Sequence, residues 1–168
     1  MIALPRSLGM LAIAVLVAGC SPQTAESETR APPASQEAAA HPVSGLEVIP
    51  LTVTAADGTV HEFAVEVAAS SGEQARGLMF RTEMGPDEGM IFPREDNPRQ
   101  SSFWMRNTVL PLDIIFIGTD RRILNIAENA VPYSEESLPS DGVAGAVLEL
   151  VGGRTAELGI KAGDKVEW

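Results

Sequence analysis

Leu112-Asp113-Ile114-Ile115-Phe116-Ile117 is apolar at almost every consecutive position. A strand turns successive side chains to opposite faces, so this run buries both faces and predicts the central strand of a sheet covered on two sides. The neighbouring segments read differently. In Val60 to Ala68, Phe63, Val65 and Val67 alternate with Glu62, Ala64 and Glu66, the period of a half-buried strand. The turn Ala56-Asp57-Gly58 joins it to a strand over Leu46 to Thr54. Further strands are predicted at Gly89 to Phe92, Ser101 to Thr108, Ile123 to Ala127, Ala146 to Val151 and Lys165 to Trp168, separated by turns carrying Pro93, Pro98, Pro111, Gly118 and Gly142. Ser71 with Gln74 suggests a capping box that opens a short helix ending at Gly77, and a second short helix fits Arg154 to Leu158. The expected fold is mostly β, a compact antiparallel sandwich or small barrel with one or two short helices, formed by residues 46–168.

The first 45 residues carry a different message. Arg6 gives a positive start, Leu8 to Val17 is an apolar run of ten residues, and Ala18-Gly19 are small. That is a secretory signal too short to span a bilayer comfortably. The only Cys of the 168 residues follows at position 20, and Leu16-Val17-Ala18-Gly19-Cys20 resembles a bacterial lipobox. The resemblance implies cleavage after residue 19, a diacylglycerol thioether on Cys20 and acylation of the new amino terminus. Several acyl chains anchor a protein firmly where one does so marginally. Ser21, in place of the Asp that retains lipoproteins at the inner membrane of enterobacteria, points to the outer membrane, facing the periplasm. Ser21 to Ser44 holds four Pro, four Ser and six Ala, with Val43 as its one large aliphatic residue. Such a stretch buries too little apolar surface to offset ordering entropy. A disordered linker over residues 20–45 is expected, with His41 inside it and outside any candidate site.

Composition removes several functions. With 12 Lys and Arg against 23 Asp and Glu, the net charge is −11. Nucleic acid, recognised through its phosphates, is an unsuitable partner. One Cys and two His cannot build structural zinc, an iron–sulfur cluster or an internal disulfide. The chain has no phosphate-binding loop, no G-x-S-x-G elbow, no H-E-x-x-H and no dinucleotide fingerprint. No cofactor is expected.

Four ordered motifs add a resemblance. Gly77-Leu78-Met79-Phe80-Arg81, Glu88-Gly89-Met90-Ile91-Phe92, Ser102-Phe103-Trp104-Met105-Arg106-Asn107-Thr108 and Pro111 to Ile117, with the ending Ala146-Val147-Leu148-Glu149-Leu150 followed by Leu158-Gly159-Ile160-Lys161-Ala162-Gly163-Asp164-Lys165-Val166, are similar to the bacterial and archaeal family called domain of unknown function 192. Arg106 stands where Lys is more usual, and Ile91 where Leu is. The resemblance runs from about Leu46 to the C-terminus. It implies a compact β-rich fold and frequent export, and it brings no established activity.

The candidate ligand-binding residues are Arg81, Trp104, Arg106, Asn107, Thr108 and Asp113. If Trp104 to Thr108 is a strand, Trp104, Arg106 and Thr108 share one face, an indole beside a guanidinium and a hydroxyl. An aromatic platform with polar neighbours suits a sugar or a peptide group. The same residues also fit structural roles: Asp113 and Asn107 capping a Pro111 turn, Arg81 paired with an interior carboxylate, Trp104 in the core. Two other readings stay open. Asp113 with Glu88 or His61 could serve an envelope hydrolase. Met79, Met90 and Met105 could offer thioethers to Cu(I), or simply fill core gaps. The reading that best joins these features is a lipid-anchored envelope protein, a non-enzymatic binding or scaffolding module for a protein, peptide or glycan.

Overall fold

A computed structural model describes residues 39–168. The expected signal peptide, Cys20 and the linker up to residue 38 lie outside the described residues. The chain runs β1 (Ala39–Ala40), β2 (Glu47–Thr54), β3 (Val60–Val67), α1 (Ser71–Arg76), β4 (Glu88–Pro93), β5 (Arg99–Phe103), β6 (Leu112–Gly118), β7 (Ile123–Ala130), β8 (Leu138–Val151), α2 (Arg154–Leu158) and β9 (Lys165–Glu167). The domain is mostly β, as expected. Its nine strands form one sheet in the order β1-β2-β3-β4-β8-β6-β7, with β5 on β8 and β9 on β2. A single bridge, Arg122 to Lys165, links the start of β7 to β9, and the sheet does not close.

The pairings are antiparallel except for β3 with β4. A parallel neighbour requires the chain to return across the sheet, which it does through α1 and the segment that follows. The helix starts one residue earlier than its sequence suggests. Ser70, not Ser71, is the N-cap: its side chain accepts from the Glu73 amide, while the Glu73 carboxylate accepts from the Ser70 amide. Those hydrogen bonds hold the Glu73 pKa below its ordinary value.

β6 behaves as its composition demands. Leu112, Ile114 and Phe116 enter one apolar cluster with Met90, Phe92, Met105 and Val147. Ile115 and Ile117 enter the other, with Leu51, Val53, Phe63, Val65, Ile91 and Leu148. Each such side chain contributes about 1.5–3 kcal/mol on burial, so the two-faced strand is the seam of the domain. Close packing of β4 on β8 depends on Gly89, where an added Cβ would fall 2.4 Å from the Glu149 carbonyl oxygen.

Three expectations about segments are corrected. Ala39 and Ala40, inside the expected linker and ahead of the expected start at Leu46, pair with Val48 and Glu47. β8 is more than twice the expected length: its first half, rich in Pro and Gly, pairs with β5. The strand expected through Thr108 stops at Phe103. Asn107 holds left-handed backbone, φ 56°, which no strand accommodates. Among the described residues no helix is long and apolar enough to cross a membrane.

Candidate functional site

Because Trp104 to Thr108 is a loop, the alternation expected of it does not hold. Met105 and Thr108 point inward and are buried, while Trp104 and Arg106 are exposed. Two further segments hydrogen-bond to this loop. On one side the Phe80 amide donates to the Asn107 carbonyl, 2.9 Å. On the other, the Met105 amide donates to the Ser134 carbonyl at 2.8 Å and the Tyr133 amide to that of Thr108 at 3.2 Å.

Four of the seven large apolar side chains exposed among the described residues, and all the exposed aromatic ones, lie on these three segments; Val43, Val60 and Val143 lie elsewhere. Phe80 is 64% exposed, Trp104 47%, Val131 67% and Tyr133 62%. The Arg106 guanidinium lies 5.6 Å from the centre of the Trp104 ring and pairs with Glu135 at 3.7 Å. Phe80 and Tyr133 have φ of 64° and 63°. Bulky side chains rarely occupy that region, and a residue held there costs on the order of 1–3 kcal/mol. A large ring on strained backbone and in water adds nothing to folding. That combination is characteristic of a surface kept for contact.

Beside Phe80 lies a cleft of about 320 Å³ between Val43 to Leu46 and the segment Gly77 to Glu83. Its base is held by a buried ion pair. Arg81 Nη2 sits 2.9 and 3.0 Å from the two carboxylate oxygens of Glu66. The Ser44 hydroxyl donates to the same carboxylate, and His41 Nε2 lies 3.3 Å from Arg81 Nη1. So Arg81 is turned inward, and the end of the expected linker is fastened to the domain. Val43 and Ser44, read from sequence as linker, form one wall of the cleft, and His41 lies against Arg81.

Asp113 belongs to a separate network. It is fully buried. One oxygen accepts from the amides of Asn129 (2.7 Å) and Gly153 (2.9 Å), the other from the amide (2.8 Å) and hydroxyl (2.6 Å) of Thr155. Four donors on one carboxylate tie two segments, Asn129 in β7 and the start of α2, and leave nothing to meet a substrate, so the polar cluster expected to join Asp113 with Trp104 does not form. Met90 and Met105 lie within the apolar cluster, and Met79 Sδ is 4.0 Å from the Asn107 side-chain Nδ2. The thioethers that could have faced Cu(I) therefore fill core space or cover a loop. Among the described residues no three His, Cys, Asp or Glu side chains gather as metal ligands.

Glu149 is no candidate from the sequence beyond its place in the family-like run Ala146 to Leu150. It stands between Met90 and Ile114 in the sheet, buried, with Oε2 lacking any hydrogen-bond partner. Burial pushes its carboxyl up to about 8. Its position in the apolar-reading run Ala146 to Val151 was the available signal.

The family model DUF192, described as Uncharacterized ACR, matches residues 52–168. A protein of unknown function from Novosphingobium aromaticivorans DSM 12444 is 60% identical, with a TM-score of 0.76 over 80% of this chain and 94% of its own. A protein from Sinorhizobium meliloti 1021, provisionally named a transcription regulator, is 39% identical, with a TM-score of 0.70 over 73% of this chain and 94% of its own. No curated protein matches.

Proposed function

The chain belongs to the DUF192 family, and we propose that it is a binding or scaffolding module of the bacterial envelope, anchored by lipid on Cys20 at the outer membrane, facing the periplasm. Its contact surface is the group of loops bearing Phe80, Trp104, Val131 and Tyr133, with Arg106 beside Trp104. The observation that carries this reading is Phe80, an exposed ring on left-handed backbone bonded directly to the Trp104 loop. A protein or peptide presenting apolar groups, or a sugar ring stacked on an indole, is the chemistry this surface accepts.

The reading has two separable parts. For the anchor, the full chain should partition into the detergent phase and take up labelled palmitate, and Cys20→Ala should do neither. A labelled, detergent-partitioning Cys20→Ala protein would remove the anchor. For the surface, Trp104→Ala should lose envelope partners while its unfolding midpoint stays near wild type, because a half-exposed ring contributes little to the core. Retention of every partner by that variant would place binding elsewhere.

A further inference from the structure

The four methionines among the described residues differ in their surroundings. Met90 and Met105 are fully buried in one apolar cluster, and Met84 packs against that cluster. Met79 enters neither apolar cluster. It is half-buried and lines the cleft of about 320 Å³ beside Phe80, so its side chain stands at the surface rather than in the core.

Its position is fixed from both sides. Just after α1, the Met79 amide donates to the Arg76 carbonyl and the Arg81 amide to the Leu78 carbonyl, each at 3.1 Å. The adjoining Phe80 amide donates to the Asn107 carbonyl at 2.9 Å. A side-chain contact runs parallel to that bond: Asn107 Nδ2 lies 4.0 Å from Met79 Sδ. A thioether sulfur is a weak acceptor, so the Nδ2–H donor meets a partner that makes little use of it. Oxidation changes the character of the sulfur. A sulfoxide is polar, and an oxygen placed on the side of Asn107 brings an acceptor into hydrogen-bonding range of Nδ2.

We infer that Met79 is a modification site, oxidised to methionine sulfoxide by a hydroperoxide that enters the cleft, with the new oxygen held by Asn107 Nδ2. A sulfur lone pair attacks one peroxide oxygen, and the S–O bond forms as the O–O bond breaks. The proton of the transferred oxygen passes to the departing oxygen, which leaves as water or an alcohol. The sulfur loses an electron pair and the peroxide gains it. The product adds a second link between the Phe80 and Trp104 loops, so the state of one thioether sets how firmly the two are joined. This chemistry requires neither the lipid anchor nor a particular partner.

The test is a timed reaction of the full chain in detergent with hydrogen peroxide, read by peptide mass spectrometry and by amide hydrogen exchange. Met79 is expected to gain one oxygen ahead of Met84, and about tenfold or more faster than Met90 and Met105, which wait for the core to open. Once Met79 is oxidised, the Phe80 amide should exchange more slowly by roughly twofold to tenfold, the effect of one added hydrogen bond. Asn107→Gly accepts the left-handed backbone and removes Nδ2. In that variant Met79 should still oxidise, with Phe80 exchange the same before and after. Met79→Leu should show no change in Phe80 exchange on peroxide treatment. Oxidation of Met84, Met90 or Met105 as fast as Met79 would overturn the inference. So would Phe80 exchange that peroxide leaves unchanged in wild type, or slows equally in Asn107→Gly or Met79→Leu.

Discussion

The amide of Phe80 donates to the carbonyl of Asn107 at 2.9 Å, joining two residues that both hold left-handed backbone. Asparagine accepts that conformation readily, phenylalanine does not. The bond fastens the exposed Phe80 ring beside the Trp104 loop, and the fold tolerates the strain there.

Phe80→Gly should therefore keep the fold. Glycine relieves the positive φ, at roughly 1–2 kcal/mol, and raises the entropy of the unfolded chain by somewhat less. Denaturant unfolding should give a stability equal to wild type or up to about 1 kcal/mol above it. A core phenylalanine would instead lose about 3–5 kcal/mol, and a loss of that size would show the ring to be structural.

Asp113→Asn should destabilise strongly. Its carboxylate faces four donors, and an amide would place an NH₂ among them. A loss of about 3–5 kcal/mol is expected in equilibrium unfolding. A change below about 1 kcal/mol would mean that the segments at 129 and 153–155 hold without it.

Glu149 gives a pH signature. Its folded pKa, raised to about 8, lies above the unfolded value near 4.5, so the folded state binds the proton more tightly. Its contribution is complete below about pH 4.5 and is lost as pH rises toward 8, at up to about 1.4 kcal/mol per unit. Glu149→Gln carries no such proton. Relative to wild type it should gain stability steadily across that window and level off above it. A constant difference between the two proteins from pH 4.5 to 8 would contradict the assignment.

Much of the architecture was legible in the sequence because it rests on local periodicity. The two apolar faces of Leu112 to Ile117 and the alternation of Phe63, Val65 and Val67 follow from strand geometry alone. The first half of β8 was not legible, since Pro139, Gly142 and Gly145 read as turn residues and only pairing with β5 makes a strand of them. The capping box slipped by one residue because Ser70-Ser71-Gly72-Glu73-Gln74 contains two overlapping boxes. The site was legible in part. Trp104 and Arg106 do lie exposed side by side, but period two could not foresee the left-handed turn at Asn107. Phe80 and Tyr133 join Trp104 only through hydrogen bonds between distant segments, which leave no local pattern. Fastening of His41 and Ser44 onto Glu66 and Arg81 was hidden for the same reason.

That fastening makes a fourth prediction. Arg81→Gln leaves Glu66 buried without its cation, a loss of about 3–5 kcal/mol. Glu66→Gln with Arg81→Gln should recover part of it. In both variants the amide of Gly45, which donates to the His41 carbonyl in wild type, should exchange with solvent faster. Unchanged exchange there would show that the segment from Ala39 to Leu46 is held by β1 pairing alone.

The central claim, a contact surface made by the loops of Phe80, Trp104 and Tyr133, is tested most directly by photocrosslinking in intact envelopes. A photoreactive phenylalanine analogue is placed in turn at positions 80, 104 and 133, and at positions 60 and 143 as controls, where the native valines are 53% and 54% exposed. The account predicts one common adduct from the first three positions and none from the controls. Adducts from the controls in equal yield, or none from positions 80, 104 and 133, would contradict it.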